Sequence, residues 1–269
     1  MPDVVTIGET MLRLSAPPGV PLEQAPQLDV HVAGAESNVA IALCRLGTTA
    51  GWISRLVDTP LGRRIVNELR AHGVDVSRVL WAPDGRVGVY FLEQGIPPRQ
   101  HRIIYDRAQS AMALLNPDDI DWEFVRSTRL VHLTGITPAL SAGCRTAASR
   151  AIAEARRGKA LVCFDVNYRA KLWSADEAKM VLGPLLADVD ILIATADDSR
   201  LLLSGGGRLS SSRLCWLSGS EPRRWWSPTP VAAQRRRMAR WCQRKATKWN
   251  RWTGSAPATR LRPGSSTAI

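Results

Sequence analysis

Hydrophobic and polar positions between residues 4 and 194 follow two alternating periods. Short apolar runs rich in β-branched residues indicate buried strands, whereas apolar residues spaced three and four apart indicate amphipathic helices. Alternation of these two patterns predicts an α/β fold built on a largely parallel sheet. The predicted strands cover residues 4–7, 52–54, 130–134, 160–166 and 190–194.

Helix boundaries are predicted from capping residues. Ser and Thr favour helix starts, Pro favours the first helical position, and Gly favours helix ends. The predicted helices are 36–46, ending at Gly47; one starting at Thr59 and Pro60; 141–157, ending at Gly158; and one starting with a capping box of Ser174 and Glu177.

Two strand-like segments interrupt the alternation. Residues 87–93 and 101–105 have no helix between them, and the connection contains Gly95 and Pro97. This spacing favours a hairpin-like pair. We expect the pair to belong to a small sheet that stands apart from the main one.

The charge of the chain changes near residue 200. Residues 1–199 carry 21 Lys and Arg against 23 Asp and Glu, whereas residues 200–269 carry 15 against 1. The later segment also holds six of the ten Trp residues, and its basic and aromatic positions follow no amphipathic period. Residues 1–202 are therefore expected to form the functional domain, and residues 203–269 need a separate explanation.

Several protein classes are not expected. The chain has no run of 18 apolar residues, so no membrane span is predicted. Its first residues lack the pattern of a secretion signal. Five scattered Cys and four dispersed His suggest neither a disulfide framework nor a zinc site. A reduced, cytoplasmic protein is the simplest expectation.

The first candidate site lies in residues 34–40. Gly34 and Ala35 are small and precede a helix, so backbone N–H groups there can approach a polar ligand. Asn38 can both donate to and accept from hydroxyls. The alternative, which is favoured for this motif alone, is an ordinary helix start capped by Ser37 or Asn38.

The second candidate site follows a buried strand. Asp165, Asn167 and Arg169 come directly after residues 160–164. In open α/β sheets, ligands bind outside the carboxyl ends of strands. Arg169 suits a phosphate or carboxylate, and Asp165 or Asn167 suits a hydroxyl or a hydrated metal. A solvated loop with an Arg–Asp pair is an equally good interpretation.

The third candidate site lies on the hairpin-like pair. Tyr90, Tyr105 and Arg107 can close over a sugar acid, the guanidinium forking onto a carboxylate. Without further context, ordinary packing of strand tyrosines is the more common explanation. His132 lies in an apolar strand and is predicted to be a core histidine rather than a ligand.

Taken together, these segments resemble the ribokinase-like (PfkB) carbohydrate kinases, and within them the 2-keto-3-deoxygluconate kinases. The resemblance extends from about Val4 to Leu202, and its ordered series of motifs is specific. The segments that carry it are 8–15, 34–40, 73–76, 105–111, 132–136, 165–169 and 172–173.

The resemblance implies a three-layer α/β/α domain with a small β-sheet lid from about residues 12–33 and 86–110. It also implies transfer of the ATP γ-phosphoryl group to a sugar or sugar-acid hydroxyl, with Mg²⁺. Thr195 and Asp198 stand where the family has the Asn and Glu of its metal-associated N-x-x-E motif. The implied substrate-binding residues are Gly34, Ala35, Asn38, Tyr90, Tyr105, Arg107 and Arg169; the implied cofactor-binding residues are Asp165, Asn167, Arg169 and Thr195; the implied metal residue is Asp198.

The family's Gly-Ala-Gly-Asp segment, whose Asp serves as the catalytic base, is missing from this sequence. No catalytic residue is therefore assigned, and the C-terminal part of the fold is expected to be incomplete. Residues 253–261, read in a shifted frame with G/C-rich codons, give R-V-G-A-G-D-A-F. We hypothesise that residues 203–269 are translated out of frame, are poorly ordered, and leave the kinase impaired.

Two alternatives remain open at the level of sequence. The Arg/Trp-rich segment can bind single-stranded nucleic acid, although charge without a recognised module is more often a solvated face. The first 200 residues can also be an inactive sugar-binding remnant. The expected partners are a sugar or sugar acid and ATP, with a homo-oligomer possible and a membrane not expected.

Overall fold

The computed structural model describes residues 1–203 and 213–216 of the chain. A central sheet has six strands in the order β12-β11-β10-β9-β1-β4, and every neighbouring pair is parallel. The predicted α/β fold with a parallel sheet is therefore confirmed. The strands of this sheet are β1 (Val4–Ile7), β4 (Ala50–Ile53), β9 (Leu130–Thr134), β10 (Leu161–Asp165), β11 (Ile191–Ala194) and β12 (Arg213–Trp216).

Helices cover both faces of the central sheet. On one face, a core cluster includes Val125, Ala151 and Leu182 from α3, α5 and α6. On the other, Ala40 of α1 and Ile65 of α2 pack with residues of β4. The result is a three-layer α/β/α arrangement. The helices are α1 (Ala35–Arg45), α2 (Pro60–Ala71), α3 (Trp122–Arg126), α4 (Ile136–Leu140), α5 (Ala142–Arg157), α6 (Ala175–Leu186) and α7 (Ala196–Leu203).

Side-chain caps fix several helix starts. Thr59 Oγ1 accepts from the Gly62 amide at 3.3 Å, and Ser174 Oγ accepts from the Glu177 amide at 3.2 Å. The carboxylate of Glu177 bonds to Arg145 at 3.0 Å rather than returning to Ser174. The predicted capping box is therefore formed only in its Ser174 half.

A second sheet holds the predicted hairpin-like pair. β7 (Val89–Glu93) and β8 (Arg102–Asp106) are antiparallel, and β2 (Met11–Ser15) and β3 (Asp29–Ala33) extend the sheet in the order β3-β2-β7-β8. We call these four strands the lid sheet. The remaining strands, β5 (Arg55–Val57) and β6 (Leu80–Ala82), form a separate parallel pair.

The two faces of the lid sheet have different side chains. Leu12, Val32 and Val89 pack against the cluster that contains α1 and α2. Side chains alternate along a strand, so the opposite face carries Arg13, Tyr90 and Tyr105, which are neighbours in register across β2, β7 and β8. This opposite face is therefore polar and aromatic.

Most of residues 203–269 lie outside the described part of the chain, and so does the expectation of poor order there. Arg213–Trp216 are the exception, since they pair in parallel with β11. The central sheet therefore extends past the boundary predicted at residue 202. Among the described residues, no helix has the length and apolar character needed to cross a membrane.

Candidate functional site

The junction between β1 and the lid sheet holds a buried ion pair. Glu9 follows β1, and Arg107 follows β8; a terminal nitrogen of Arg107 donates to one carboxylate oxygen of Glu9. Ser110 donates to the other oxygen. The exposed fractions of Glu9 and Arg107 are 4% and 9%. Arg107, a predicted substrate residue, is therefore already paired with an acid, and Glu9 was missed as a site residue.

The predicted tyrosines meet beside this ion pair. The ring centroids of Tyr90 and Tyr105 are 5.6 Å apart with planes tilted by 42°. The guanidinium carbon of Arg107 lies 5.9 Å from the Tyr105 centroid, within the range of a cation–π contact. The structure thus brings together Tyr90, Tyr105 and Arg107.

Arg13 is a second cation on the same face, and its role was not predicted. It lies opposite Tyr90 in register, and its positive charge lowers the pKa of Tyr90 against the effect of burial. Its Nε is buried and has no hydrogen-bond partner in the described part of the chain. Burial is the main cause that raises the pKa of Tyr90, so this phenol remains a neutral donor.

Lys171 connects the lid sheet to the loop that follows β10. Its Nζ lies 5.6 Å from the Tyr105 centroid and donates to the Ile103 carbonyl at 2.6 Å. An open depression lies here between β8 and Lys171. Its lining residues are His101, Arg102, Ile103, Ile104, Tyr105 and Lys171. The second and third candidate sites therefore adjoin each other, which their distance in sequence did not reveal.

The first candidate site opens α1. Gly34 is the N-cap residue, and no side chain caps the helix, so the predicted alternative of a cap by Ser37 or Asn38 is wrong. Ser37 Oγ instead donates to the Gly34 carbonyl at 3.2 Å. A Cβ at Gly34 would lie 2.6 Å from the Glu9 carbonyl oxygen, so glycine is required for this close approach. Ala35 is half-buried and Asn38 is exposed.

A buried carboxylate anchors the same helix. Glu36 accepts hydrogen bonds from Thr134 at 2.7 Å and from Thr137 at 2.8 Å. Burial raises the pKa of Glu36, and the two hydroxyls oppose that effect. Glu36 thus fixes the start of α1 against the end of β9. Because its carboxylate is buried and hydrogen-bonded, we assign it a structural role.

The remaining predicted residues lie at the carboxyl ends of β10 and β11. Asn167 Nδ2 donates to Asp165 at 3.1 Å, and Asn167 has a left-handed backbone with φ of 41°. Burial and then the nearby Asp198 carboxylate raise the pKa of Asp165 to about 6, against the Asn167 hydrogen bonds. Arg169 is exposed, and its charge also favours ionised Asp165.

Thr195 and Asp198 form a reciprocal cap at the start of α7. Thr195 Oγ1 donates to Asp198 Oδ2 at 2.7 Å and accepts from the Asp198 amide at 3.1 Å. Asp198 Oδ1 also accepts from the Tyr168 amide at 3.2 Å. Asp198 therefore ties α7 to the loop after β10 in addition to any role at a metal.

The carboxylates present are compatible with a divalent cation bound through water. Asp165 and Asp198 repel each other, as the raised pKa of Asp165 indicates, and a divalent cation would relieve that repulsion. Within the described residues, no group of three or more His, Cys, Asp or Glu is arranged to enclose a metal. The arrangement fits a largely hydrated Mg²⁺ better than a metal held by protein ligands alone.

His132 is a core residue, as predicted. It is buried in β9, with Nδ1 3.4 Å from Cys163 Sγ on β10. Burial lowers the pKa of His132 to about 4, so the ring is neutral near pH 7.

Comparison with known proteins identifies the family. A profile of the pfkB family carbohydrate kinases matches residues 1–205. The chain is 44% identical over 205 residues to a 2-dehydro-3-deoxygalactonokinase from Haloferax volcanii, covering 76% of this chain and 64% of that protein. It is 38% identical over 206 residues to a 2-dehydro-3-deoxygluconokinase from Thermoproteus tenax, covering 76% and 62%. The chain thus spans less than two thirds of these relatives.

The fold agrees with these matches. The crystal structure of a 2-dehydro-3-deoxygluconokinase from Thermotoga maritima aligns with a TM-score of 0.72 at 38% identity, covering 75% of this chain and 62% of the other. The shared layers, the lid sheet and the match over residues 1–205 lead to one conclusion: the chain belongs to the pfkB family of carbohydrate kinases.

Proposed function

We propose that this chain is a sugar-acid kinase of the 2-keto-3-deoxygluconate type that binds its sugar but transfers phosphate poorly. One observation carries the choice of an acidic sugar. Arg107 is nearly buried beside Tyr90 and Tyr105, and its Nε has no partner among the described residues. A carboxylate would satisfy this donor, whereas a neutral sugar offers only a weaker acceptor.

The sugar is proposed to lie between the lid sheet and the start of α1. Tyr90 and Tyr105 present ring surfaces and hydroxyls to it, and Arg107 binds its carboxylate. Uncapped amides near Gly34 and Ala35 can donate to hydroxyls, and Asn38 is exposed and able to do the same. These contacts orient the acceptor hydroxyl toward the carboxyl ends of β10 and β11.

ATP and Mg²⁺ are proposed to occupy those strand ends. Arg169 would neutralise phosphate charge, and Asn167 would donate to phosphate oxygens through its second Nδ2–H. Thr195 would do so only by turning its hydroxyl away from Asp198, to which it donates in this structure. Asp165 and Asp198 would hold the water shell of Mg²⁺, which supplies charge neutralisation when bound. Support comes from the proximity of Asp165, Asn167 and Asp198 in the structure.

The chemical step requires a base. The sugar oxygen forms a bond to the γ-phosphorus, the bond to the bridging oxygen breaks, ADP leaves, and the hydroxyl proton must be accepted. The Gly-Ala-Gly-Asp segment that supplies an acceptor in the family is absent from the sequence. Loss of a general base typically lowers a rate by about 10²- to 10⁴-fold, so we infer binding with impaired turnover.

The absent segment is attributed to a change of reading frame between about residues 200 and 210. The family profile stops at residue 205, and the charge changes sign in the same region. Sequencing the underlying DNA from independent clones decides this point. A single intact frame that encodes residues 203–269 in every clone would contradict it.

A reducing, cytoplasmic location is proposed for the kinase. Cys44, Cys144 and Cys163 form no disulfide bond within the described part of the chain. Nucleic-acid binding, the alternative suggested by the Arg/Trp-rich segment, rests on residues outside the described part of the chain. No contact among the described residues favours it.

Calorimetric titration of the full chain tests the proposed substrate class. We expect 2-keto-3-deoxygluconate to bind more tightly than its neutral methyl ester and than ribose. Arg107→Gln should lower affinity for the acid by about tenfold or more, because a charge-assisted hydrogen bond is lost. Arg63→Gln, which removes an exposed arginine that pairs with Asp58, is the matched control. Equal affinity for acid and ester in the unmodified chain would contradict the proposal.

A further inference from the structure

We propose that Glu9 is a positioning residue that holds the Arg107 guanidinium ready for the substrate carboxylate, and so sets the preference for acidic over neutral sugars. This inference rests on the function proposed above. Glu9 does not contact the sugar in this scheme. It acts through Arg107, which does.

Glu9 is held in a prepared location. One of its carboxylate oxygens accepts from Arg107 and the other from Ser110, and both contacts are buried. Gly88, just before β7, provides the space for this carboxylate, because a Cβ at that position would lie 2.7 Å from Glu9 Oε1. The segments just after β1, just before β7 and just after β8 thus meet around this carboxylate, which leaves Glu9 little freedom to move.

The pairing leaves part of the guanidinium unused. Glu9 contacts a terminal nitrogen of Arg107, whereas the buried Nε has no partner among the described residues. A buried donor without an acceptor is unfavourable. Glu9 holds one end of the guanidinium, so Arg107 is ordered before the sugar binds. A carboxylate that displaces the groups covering Nε then meets a donor that is already held in place.

Stability alone is a weak explanation for this pair. Burying two charged groups costs hydration free energy that the attraction between them often does not offset. The presence of a buried salt bridge therefore says little about the free energy of folding. Here Arg107 also keeps a buried Nε that has no partner among the described residues, and its guanidinium lies beside Tyr105. A salt bridge that served only to stabilise the fold would not require an unsatisfied donor. A salt bridge that orients a guanidinium for an anion would leave such a donor available.

Charge adds to the discrimination. Glu9 neutralises Arg107 while the sugar is absent, so Arg107 is not an isolated buried cation in the empty site. Arg13 and Lys171 approach the same tyrosines, and no acid is paired with either among the described residues. These cations offset the added negative charge when a sugar acid binds, and a neutral sugar gains nothing from them.

The test is a double-mutant cycle on the full chain, with calorimetry of 2-keto-3-deoxygluconate and its methyl ester. We measure the ratio of the two dissociation constants for the unmodified chain, Glu9→Ala, Arg107→Gln and the double variant. We expect Glu9→Ala to reduce the acid preference by about tenfold. In the Arg107→Gln background, Glu9→Ala should cause no further reduction.

Two milder variants keep the test decisive if Glu9→Ala does not fold. Glu9→Gln retains an acceptor for Arg107 and should keep most of the acid preference. Ser110→Ala removes one anchor of Glu9 and should give an intermediate loss. Circular dichroism melts confirm that each variant is folded.

The outcomes separate the two levels of inference. An unmodified chain that binds the acid no better than the ester contradicts the proposed function, and Glu9 then has nothing to position. An unmodified chain with clear acid preference, combined with Glu9→Ala or Ser110→Ala variants that retain it fully, overturns the role of Glu9 alone. Equal weakening of acid and ester also overturns it, because that is the effect of a purely structural residue.

Discussion

Histidine 132 gives a test of the core at the level of one side chain. Its folded pKa is lowered to about 4 by burial, whereas an unfolded histidine titrates near its model value of 6.5. As the pH falls from 6.5 toward 4, His132 therefore binds a proton in the unfolded chain but stays neutral in the folded chain. Stability from this group is complete above pH 6.5 and is lost on acidification, by at most about 1.4 kcal/mol per pH unit.

Urea unfolding at pH 7 and pH 5 measures this effect. The loss of stability between the two pH values should be smaller in His132→Asn than in the unmodified chain. His31→Asn, at an exposed histidine of the lid sheet, should leave the loss unchanged. Identical losses in the unmodified chain and His132→Asn would show that His132 is not buried as described.

Single residues were predictable where their chemistry alone marked them. Tyr90, Tyr105 and Arg107 stand out in a strand pair, and the structure brings them together. The partner of Arg107 was not predictable from spacing, because Glu9 lies 98 positions away in the sequence. Two signals were available for Glu9: it lies two positions after the end of β1, and it falls in segment 8–15 of the family resemblance. Arg13 gave no signal, since it alternates like any exposed strand residue.

At the level of elements, the contact between the loop after β10 and strand β8 is the feature most open to test. Lys171→Met keeps the aliphatic stem but removes the ammonium group that donates to Ile103. Loss of about 1 kcal/mol from one hydrogen bond predicts roughly fivefold faster amide exchange in β8.

Hydrogen exchange with mass spectrometry gives the rates. Lys179→Met is the matched control, because it removes the same kind of ammonium group from a lysine that pairs with Asp176 inside α6. Unchanged exchange in the Lys171→Met variant would mean that this lysine does not tie down β8.

Long periodic elements were predicted well and short ones poorly. The helices α2 and α5 and the strands β9 and β10 follow clear periods and capping residues. The five-residue helices α3 and α4 and the three-residue strands β5 and β6 were not predicted. Segments this short contain less than two helical turns or one alternation, so their structure depends on packing with distant residues.

At the level of the whole molecule, the change in charge near residue 200 explains why a chain of the pfkB family has such a basic composition. The pfkB profile covers residues 1–205, where charge is nearly balanced, and the basic excess lies beyond. The fold and the candidate sugar site could be recognised from the sequence because both lie before this change near residue 200. Nothing in periodicity or spacing substitutes for the catalytic segment.

The most direct measurement is a side-by-side phosphotransfer assay with ATP and 2-keto-3-deoxygluconate. It compares this chain with a version in which the reading frame after about residue 203 is restored, so that Gly-Ala-Gly-Asp is translated. We expect the restored version to turn over, and this chain to bind the sugar acid but react at least 10²-fold more slowly. Equal, robust turnover by the two proteins would contradict the account, because this chain would then possess a base that its sequence does not supply.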